Sequence, residues 1–409
     1  MKILLINKFL YPKGGDAVCA LATGDLLRSK GHEVTFWGMR NVNDPPYPYY
    51  DIFVDEVDFN SANGKKQQFK ISMNMLYSLE AKSKVEELIQ RIGKPDIVHL
   101  HNFAHQISPS ILHVFKKYKI PCVMTSHDYK LVCASYIFLS HGKICEKCTG
   151  GAYFNCFLEG CVKDSKAKSL LNTFEMYLHH KILHIYGLVD IVIATSCFLR
   201  NKLQTMGFKG QQEVLSNFVK INEFHPQYEA MEQSICYFGR LSKEKGLATL
   251  IDAVKLLMGI QLKVIGDGPL RAELEYKCQN NGISNVTFLG YMSGNDLKRE
   301  VSNSLFVVVP SEWYENNPRS VIEAFALGKP VIGARIGGIP ELVKDGETGL
   351  TFEPGNADDL YAKINQLAHN LTEIKRMGRN ARRFIEQDFN SEKHYEKLIE
   401  IYKMAGAKG

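Results

Sequence analysis

The chain reads as an α/β protein built from two doubly wound parallel sheets, each with its own core. Three observations predict this. Short apolar runs alternate with helical patterns from end to end, as parallel strands with crossover helices require. The runs fall into two sets, at 2–7, 33–38, 96–101, 121–126 and 190–196, then at 234–240, 262–268, 285–290, 305–311 and 330–335. And 409 residues are too many for one hydrophobic core, so two domains of roughly 200 residues are the default division.

Taken in order, the first run, KILLIN, stops at Asn7 and Lys8 with no small-residue cleavage site after it. It reads as a buried first strand and not as a signal peptide. No stretch reaches the roughly 18 to 20 apolar residues of a membrane span. The ten cysteines are then expected as reduced thiols or metal ligands, and the expected compartment is the cytoplasm, at the inner face of a cell membrane if the protein meets one. A hydrophobic content of 45% with 23% charged residues is that of a globular chain, which excludes long disorder. The break between domains is expected near SNFVKINEFHP, giving an N-terminal domain over 1–218, a C-terminal one over 219–390, and a last helix over 391–409 that packs back on the first domain. A two-domain chain of this kind is expected to face a cleft.

The first 210 residues hold 26 Lys and Arg against 18 Asp and Glu, while the remainder is slightly acidic. A solvated basic surface explains this, and so does a face that meets an anionic membrane or a phosphate-bearing acceptor. Nothing in the pattern points to nucleic acid.

Ligands of open parallel sheets collect beyond the carboxyl ends of the strands, so the loops there carry the functional reading. The segment PSEWYENNPRSVIEAFALGKPVIG places Glu315 in a loop after a buried strand. Asn317 then fits a helix N-cap and Pro318 the first helical position. The amides of Arg319, Ser320 and Val321 would face a bound diphosphate with the positive end of the helix dipole. Glu323, further along the helix, suits ribose hydroxyls, and Glu315 suits sugar hydroxyls; two ordinary surface glutamates are the plain alternative. These residues resemble the signature of the family 4 retaining glycosyltransferases, two glutamates separated by seven residues and followed by alanine, here Glu315, Glu323 and Ala324.

Further segments carry the same resemblance. GRLSKEKG puts Arg240 and Lys245 in a strand-to-helix loop, where two cations can hold charge on a departing diphosphate. GDGP has Gly266 and Gly268 in a turn that is similar to the family's nucleobase turn; it lacks the third glycine and the acidic residue of a dinucleotide fingerprint, so nicotinamide chemistry is disfavoured. In the first half, Gly14 and Gly15 would allow backbone amides close to phosphate or sugar, and they resemble the family's N-terminal glycine loop. His127 resembles its active-site histidine, with His101 and Asn102 similarly placed. Ser216, Asn217 and Phe218 stand where the family has an interdomain Pro-Asn-Gly, a departure that concerns the hinge. The likeness runs from about residue 3 to about residue 390.

The resemblance implies a GT-B fold, two Rossmann-like domains facing across a cleft, and a transferase needing no catalytic metal. It implies a nucleoside-diphosphate sugar, UDP- or GDP-linked, as donor and a glycan or lipid-linked acceptor, in cell-surface polysaccharide synthesis. Arg240 and Lys245 would steady the diphosphate, Glu323 the ribose, and Glu315 with His127 the sugar. No side chain stands out as a covalent nucleophile. A sugar-nucleotide epimerase on the same scaffold, an inverting transferase and a non-catalytic nucleotide-sugar or glycan-binding protein are the alternatives.

Two segments stand apart. Cys145, Cys148, Cys156 and Cys161 fall within seventeen residues and suit a closed tetrahedral zinc site; free thiols, redox cysteines and an iron–sulfur cluster are alternatives. After them Leu170, Leu171, Phe174, Tyr177, Leu178, Ile182 and Leu183 recur at helical spacing among Lys163, Lys166, Lys168 and Lys181. Core packing is the plain reading of that stripe, and interfacial docking on a membrane the other.

Overall fold

Strands form where the sequence is apolar on both sides of the chain, because a parallel sheet covered by helices has no wet face. The computed structural model describes residues 1–56 and 65–408, side chains of 65–69 excepted. It divides into two compact units, Met1–Leu215 with Tyr395–Gly409, and Ser216–His394.

In the first unit the strands are β1 (Lys2–Ile6), β2 (Glu33–Trp37), β3 (Ile97–Leu100) and β4 (Cys122–Ser126), a short hairpin of β5 (Leu139–Ser140) with β6 (Lys143–Ile144), then β7 (Ile191–Ala194) and β8 (Gln212–Val214). The main sheet is parallel in the order β2-β1-β3-β4-β7-β8, with Ile3 beside both Val34 and Ile97. Ile3, Leu4, Leu5 and Ile6 are buried, as are Val98, Val123 and Ile193 from the neighbouring strands. The order reverses direction between β1 and β3, which brings the loops after β1, β3 and β4 together at one end of the sheet. The last helix, Ser391–Met404, belongs to this unit from Tyr395 onward. Its Tyr402 hydroxyl lies 2.7 Å from His99 Nδ1 and its Tyr395 hydroxyl 2.9 Å from His32 Nε2.

The second unit holds β9 (Ser234–Phe238), β10 (Gln261–Ile265), β11 (Val286–Gly290), β12 (Val307–Val309), β13 (Val331–Ala334) and β14 (Gly349–Phe352), in the order β11-β10-β9-β12-β13-β14. The reversal falls between β9 and β12, which pair only at Val307 and Cys236. The loops after these two strands meet at that switch point, where ligands of open parallel sheets collect. After β14 come the helices Ala357–Ala368 and Leu371–Asp388, capped by the side chains of Asn356 and Asn370. His394 Nδ1, 3.0 Å from the Ser216 carbonyl, ties the two ends of the unit together.

One expectation is reversed. The apolar stripe of the helix Lys166–Tyr177 does not enter the core: Leu170 and Phe174 are about half exposed, and Ile182 just beyond is more so. The buried face carries Ser169, Asn172, Thr173, Glu175 and Met176. Polar partners inside the unit, described below, hold the helix in this sense. Among the described residues no helix is long and apolar enough to cross a membrane.

Candidate functional site

In the second unit the residues singled out from the sequence come together at the switch point between β9 and β12. The loop after β9 carries Arg240 and Lys245; the loop after β12 carries Glu315. Lys245 Nζ donates to Glu315 Oε1 at 2.6 Å, and the Ser311 hydroxyl donates to the same oxygen at 2.8 Å. Burial alone would raise the Glu315 carboxyl, but the charge and hydrogen bond of Lys245, helped by Ser311, hold it below its ordinary range. It is therefore ionised. Lys245 also lies 5.1 Å from the centre of the Trp313 ring. The two loops are joined again where Glu312 N donates to the Glu244 carbonyl at 2.9 Å, and Thr249 Oγ1, in the helix Leu247–Val254 that follows, donates to Glu312 Oε1 at 2.5 Å. Arg240, in the same loop as Lys245, is exposed, and its carbonyl accepts from the Tyr237 hydroxyl at 2.8 Å.

The glycine turn sits against the same loop. A Cβ on Gly266, whose φ is +138°, would lie 1.9 Å from the Gly239 carbonyl oxygen, and one on Gly268 would lie 2.4 Å from that of Leu241. Only glycine permits this approach, whatever else the turn does. The glycines thus place the turn beside Arg240.

The helix after Glu315 starts one residue later than the sequence reading has it. Pro318 is the N-cap and Arg319 the first helical residue, with no side-chain cap. Asn317 is used differently: its Oδ1 accepts from the Asn217 amide at 3.0 Å and its carbonyl from Asn217 Nδ2 at 3.1 Å. A side chain already accepting from Asn217 is not the expected cap. The Val321 amide donates to the Pro318 carbonyl at 3.1 Å, which narrows the set of amides expected to face an anion. Glu323 is half-buried and accepts from Arg319 at 2.7 Å, one turn away. Ser311 and Trp313 are the neighbours of Glu315 that sequence reasoning passed over; both lie in the same loop, but no spacing rule marks them.

In the first unit the loops after β1, β3 and β4 gather the remaining candidates. Gly14 is the extended N-cap of the helix Gly15–Ser29, with Asp16 in its first turn. Asn102 Nδ2 donates to Asp16 Oδ2 at 2.8 Å, and its amide donates to Asn7 Oδ1 at 2.9 Å. Lys8 lies in the same group: burial lowers its pKa, opposed by the charges of Asp16 and Asp128. His127, half-buried after β4, lies with Nε2 3.0 Å from His101 Nδ1, the rings 5.3 Å apart and near parallel. His101 in turn stacks on His99 at 4.4 Å, and His99 Nε2 is 2.7 Å from Thr125 Oγ1. The three imidazoles form one row, anchored at its inner end by Tyr402. His99 was not singled out from the sequence.

The zinc expectation does not carry over. Among the described residues no three or more His, Cys, Asp or Glu side chains are grouped so as to hold a metal ion. Cys148 and Cys156 are buried and Cys145 and Cys161 half-buried. Burial pushes the Cys148 thiol up to about 12, helped by the neighbouring sulfurs of Cys133, Cys161 and Cys145. A hydrogen bond between Cys156 and Cys161 raises the first thiol and lowers the second. The sulfurs are near one another, with Cys133 as an unforeseen neighbour, but they sit as packed thiols and not as four convergent ligands.

Residues 219–384 match the family profile of glycosyl transferases group 1, and residues 13–223, more than half of the chain, match that of Glycosyltransferase Family 4. The chain belongs to this glycosyltransferase family. An N-acetyl-alpha-D-glucosaminyl L-malate synthase of Bacillus anthracis is 26% identical over 98% of this chain and 96% of its own. An uncharacterized 42.6 kDa protein of the cps region of Klebsiella pneumoniae is 28% identical over 84% of this chain and 87% of that one. Several further curated relatives are matched over only about half of their own length. Among solved structures, Anabaena HepE in complex with UDP and glucose is similar with a TM-score of 0.66, at 19% identity, over 98% of this chain and 99% of that one. The fold of this family 4 chain is GT-B.

Proposed function

We propose that the protein transfers a sugar from a nucleoside-diphosphate sugar to a glycan or lipid-linked acceptor, with retained anomeric configuration and without a catalytic metal, in cell-surface polysaccharide synthesis. The observation that carries this reading is the Lys245–Glu315 pair at the switch point, beside exposed Arg240. Two cations in one loop supply the positive charge a departing diphosphate needs, the role a divalent ion would otherwise fill. When the bond from the anomeric carbon to the phosphate oxygen breaks, the electron pair stays on that oxygen, and Arg240 and Lys245 stabilise it. The acceptor hydroxyl oxygen bonds to the anomeric carbon on the face the phosphate leaves, and the leaving phosphate takes that hydroxyl's proton, so no separate base is assigned.

Glu315, kept ionised and fixed by two hydrogen bonds, positions the sugar through its hydroxyls. Glu323, oriented by Arg319, holds the ribose, while the amides at the start of that helix and the turn at Gly266 and Gly268 take the phosphates and the base. In the first unit, His127 and the loop at Gly14 and Gly15 are assigned to the sugar and the acceptor. UDP comes first among donors because HepE is solved with UDP; the Klebsiella relative, from a cps region, supports the polysaccharide setting.

The test is a thermal-shift and donor-hydrolysis screen against UDP-, GDP- and ADP-sugars in EDTA, with Glu323→Ala alongside. Stabilisation by one nucleotide class and slow sugar release, lost in the variant, is the expected result. Folded protein that binds none of them would remove the donor assignment; binding without turnover, even with acceptor extracts, would leave a nucleotide-sugar-binding protein. The anomeric configuration of a product, read by NMR, decides retention against inversion.

A further inference from the structure

We propose that the outer face of the helices Phe154–Glu159 and Lys166–Tyr177 is a docking surface for an anionic lipid bilayer. The argument begins with the inverted helix. Along Lys166–Tyr177 and its continuation, Leu170, Phe174 and Ile182 are 53%, 51% and 63% exposed, at the spacing of one helical face. The helix beside it presents Phe154, Phe157 and Leu158, at 51%, 37% and 57%. Single exposed apolar residues mean little, but six on adjoining elements form a patch of the kind that marks an interaction site.

The inversion is fixed from within. Glu175 lies under the helix, 2.5 Å from Lys130 Nζ and 3.4 Å from His105 Nε2. Ser169 accepts from the Val162 amide at 3.0 Å, and Thr173 donates to the Tyr153 carbonyl at 3.3 Å. Rotating the helix to hide its apolar stripe would expose these partners and strand a buried charge. The helix therefore keeps its apolar side outward and its polar side inward.

The charge around the patch selects the occupant. Lys163, Lys166, Lys168 and Lys181 are all exposed along its edge. Lys166 also reaches back to the carbonyls of Phe157 and Leu158 at the end of the first helix. Of the carboxylates nearby, Glu159 is paired with Lys147 at 2.6 Å, and the exposed Asp164 lies 3.7 Å from His141 Nδ1. A second copy of the chain, meeting this face symmetrically, would oppose lysine to lysine. Anionic headgroups neutralise the lysines while the phenylalanine and leucine side chains enter the acyl boundary, the usual division of labour in interfacial binding. The inference stands apart from the donor assignment, since none of these residues belongs to the proposed transfer site.

The experiment is flotation of the full chain with phosphatidylcholine vesicles, with and without phosphatidylglycerol, at low and high salt. Wild-type protein is expected to float with the anionic vesicles, less at high salt, and to stay behind with phosphatidylcholine alone. Phe157→Glu with Phe174→Glu should lower partitioning by about tenfold or more, and Lys168→Glu with Lys181→Glu should remove its salt dependence. Unchanged melting and unchanged donor-induced stabilisation in the same variants show that they are folded. Wild-type protein that floats with neither vesicle, or aromatic variants that float as well as wild type, would overturn the proposal. So would a wild-type dimer that binds no vesicle and that the aromatic variants convert to monomer, which would assign the face to a second copy. A donor response without flotation removes this surface alone, and flotation without a donor response removes the donor assignment alone.

Discussion

A short lysine–glutamate pair in each unit joins separate elements, Lys130–Glu175 in the first and Lys245–Glu315 in the second, and the two are built for different ends. In the first unit Lys130 and Glu175 are 2.5 Å apart with side chains only 5% and 0% exposed; in the second, Lys245 and Glu315 are 2.6 Å apart with 23% and 9% exposed. The first joins a loop to a helix and is sealed beneath both. The second joins two loops at the switch point of a parallel sheet, where its lysine still meets solvent. A sealed pair fixes a conformation, because neither charge can turn to water and the partners Glu175 has, Lys130 with His105 and His179, are all inside the unit. An open one can exchange part of its interaction for a ligand's charge. The difference teaches that a short ion pair is not by itself a functional mark; the strand ends around it and the exposure of its cation decide the reading.

The largest expected effect comes from breaking the sealed pair. Glu175→Ala leaves the Lys130 ammonium buried and unpaired, with an expected loss of about 3–5 kcal/mol, read from the urea midpoint. Replacing both, as Lys130→Met with Glu175→Leu, should return much of that loss. A single-variant cost under about 1 kcal/mol would show that water reaches the pair. The pH dependence sharpens this. Burial would raise the Glu175 carboxyl, but Lys130 and His105 outweigh it and hold the carboxyl at about 2, against an ordinary value of 4.5. A depressed carboxylate contributes fully above its unfolded value and loses its contribution as pH falls toward the folded one. The stability difference between wild type and Glu175→Gln should accordingly be constant above about pH 5 and shrink between about pH 4.5 and 2.

Next comes the open pair. Lys245→Met should lower kcat/KM for sugar transfer by about 10²- to 10³-fold, the cost of removing one group that stabilises developing charge. Its melting temperature should fall less than that of Glu175→Ala, since the stranded Glu315 keeps the Ser311 hydrogen bond and, with burial no longer opposed by Lys245, can take up a proton. A variant with unimpaired transfer would reduce Lys245 to a structural partner of Glu315. A variant that simply unfolds would erase the distinction between the two pairs.

The same contrast explains what the sequence made legible. The open site could be read because its parts obey local rules: two glutamates with seven residues between them, cations in a strand-to-helix loop and glycines at a turn, in segments that follow strands. The two-sheet architecture was legible for a similar reason, as buried parallel strands are continuous apolar runs. β8 and β14 escaped because Gln212–Val214 is short and half-buried and Gly349–Phe352 begins on a glycine. Glu175 and His99 escaped because their partners, Lys130 and Tyr402, lie 45 and 303 residues away, and no spacing rule links them. The helix Lys166–Tyr177 misleads for the same reason: apolar periodicity gives a face but not its direction, and here a distant lysine sets the direction. Asn317 shows a milder form, a good capping residue whose side chain is taken by Asn217.

The smallest expected effect separates positioning from stability within the open site. The Ser311 hydroxyl donates to the same Glu315 oxygen as Lys245, so it restricts the carboxylate to one rotamer without adding charge. Ser311→Ala removes one hydrogen bond to a carboxylate, with an expected stability loss of about 1.5–3 kcal/mol at most and less where water replaces it. If Glu315 positions the sugar, the loosened carboxylate should raise KM for the donor sugar while its nucleoside diphosphate binds as before. Ser311→Thr, which keeps the hydroxyl, should restore wild-type values. Equal weakening of sugar donor and free nucleotide would instead place the effect in the loop as a whole, and Glu315 would then resemble Glu175, a carboxylate that holds its surroundings in place.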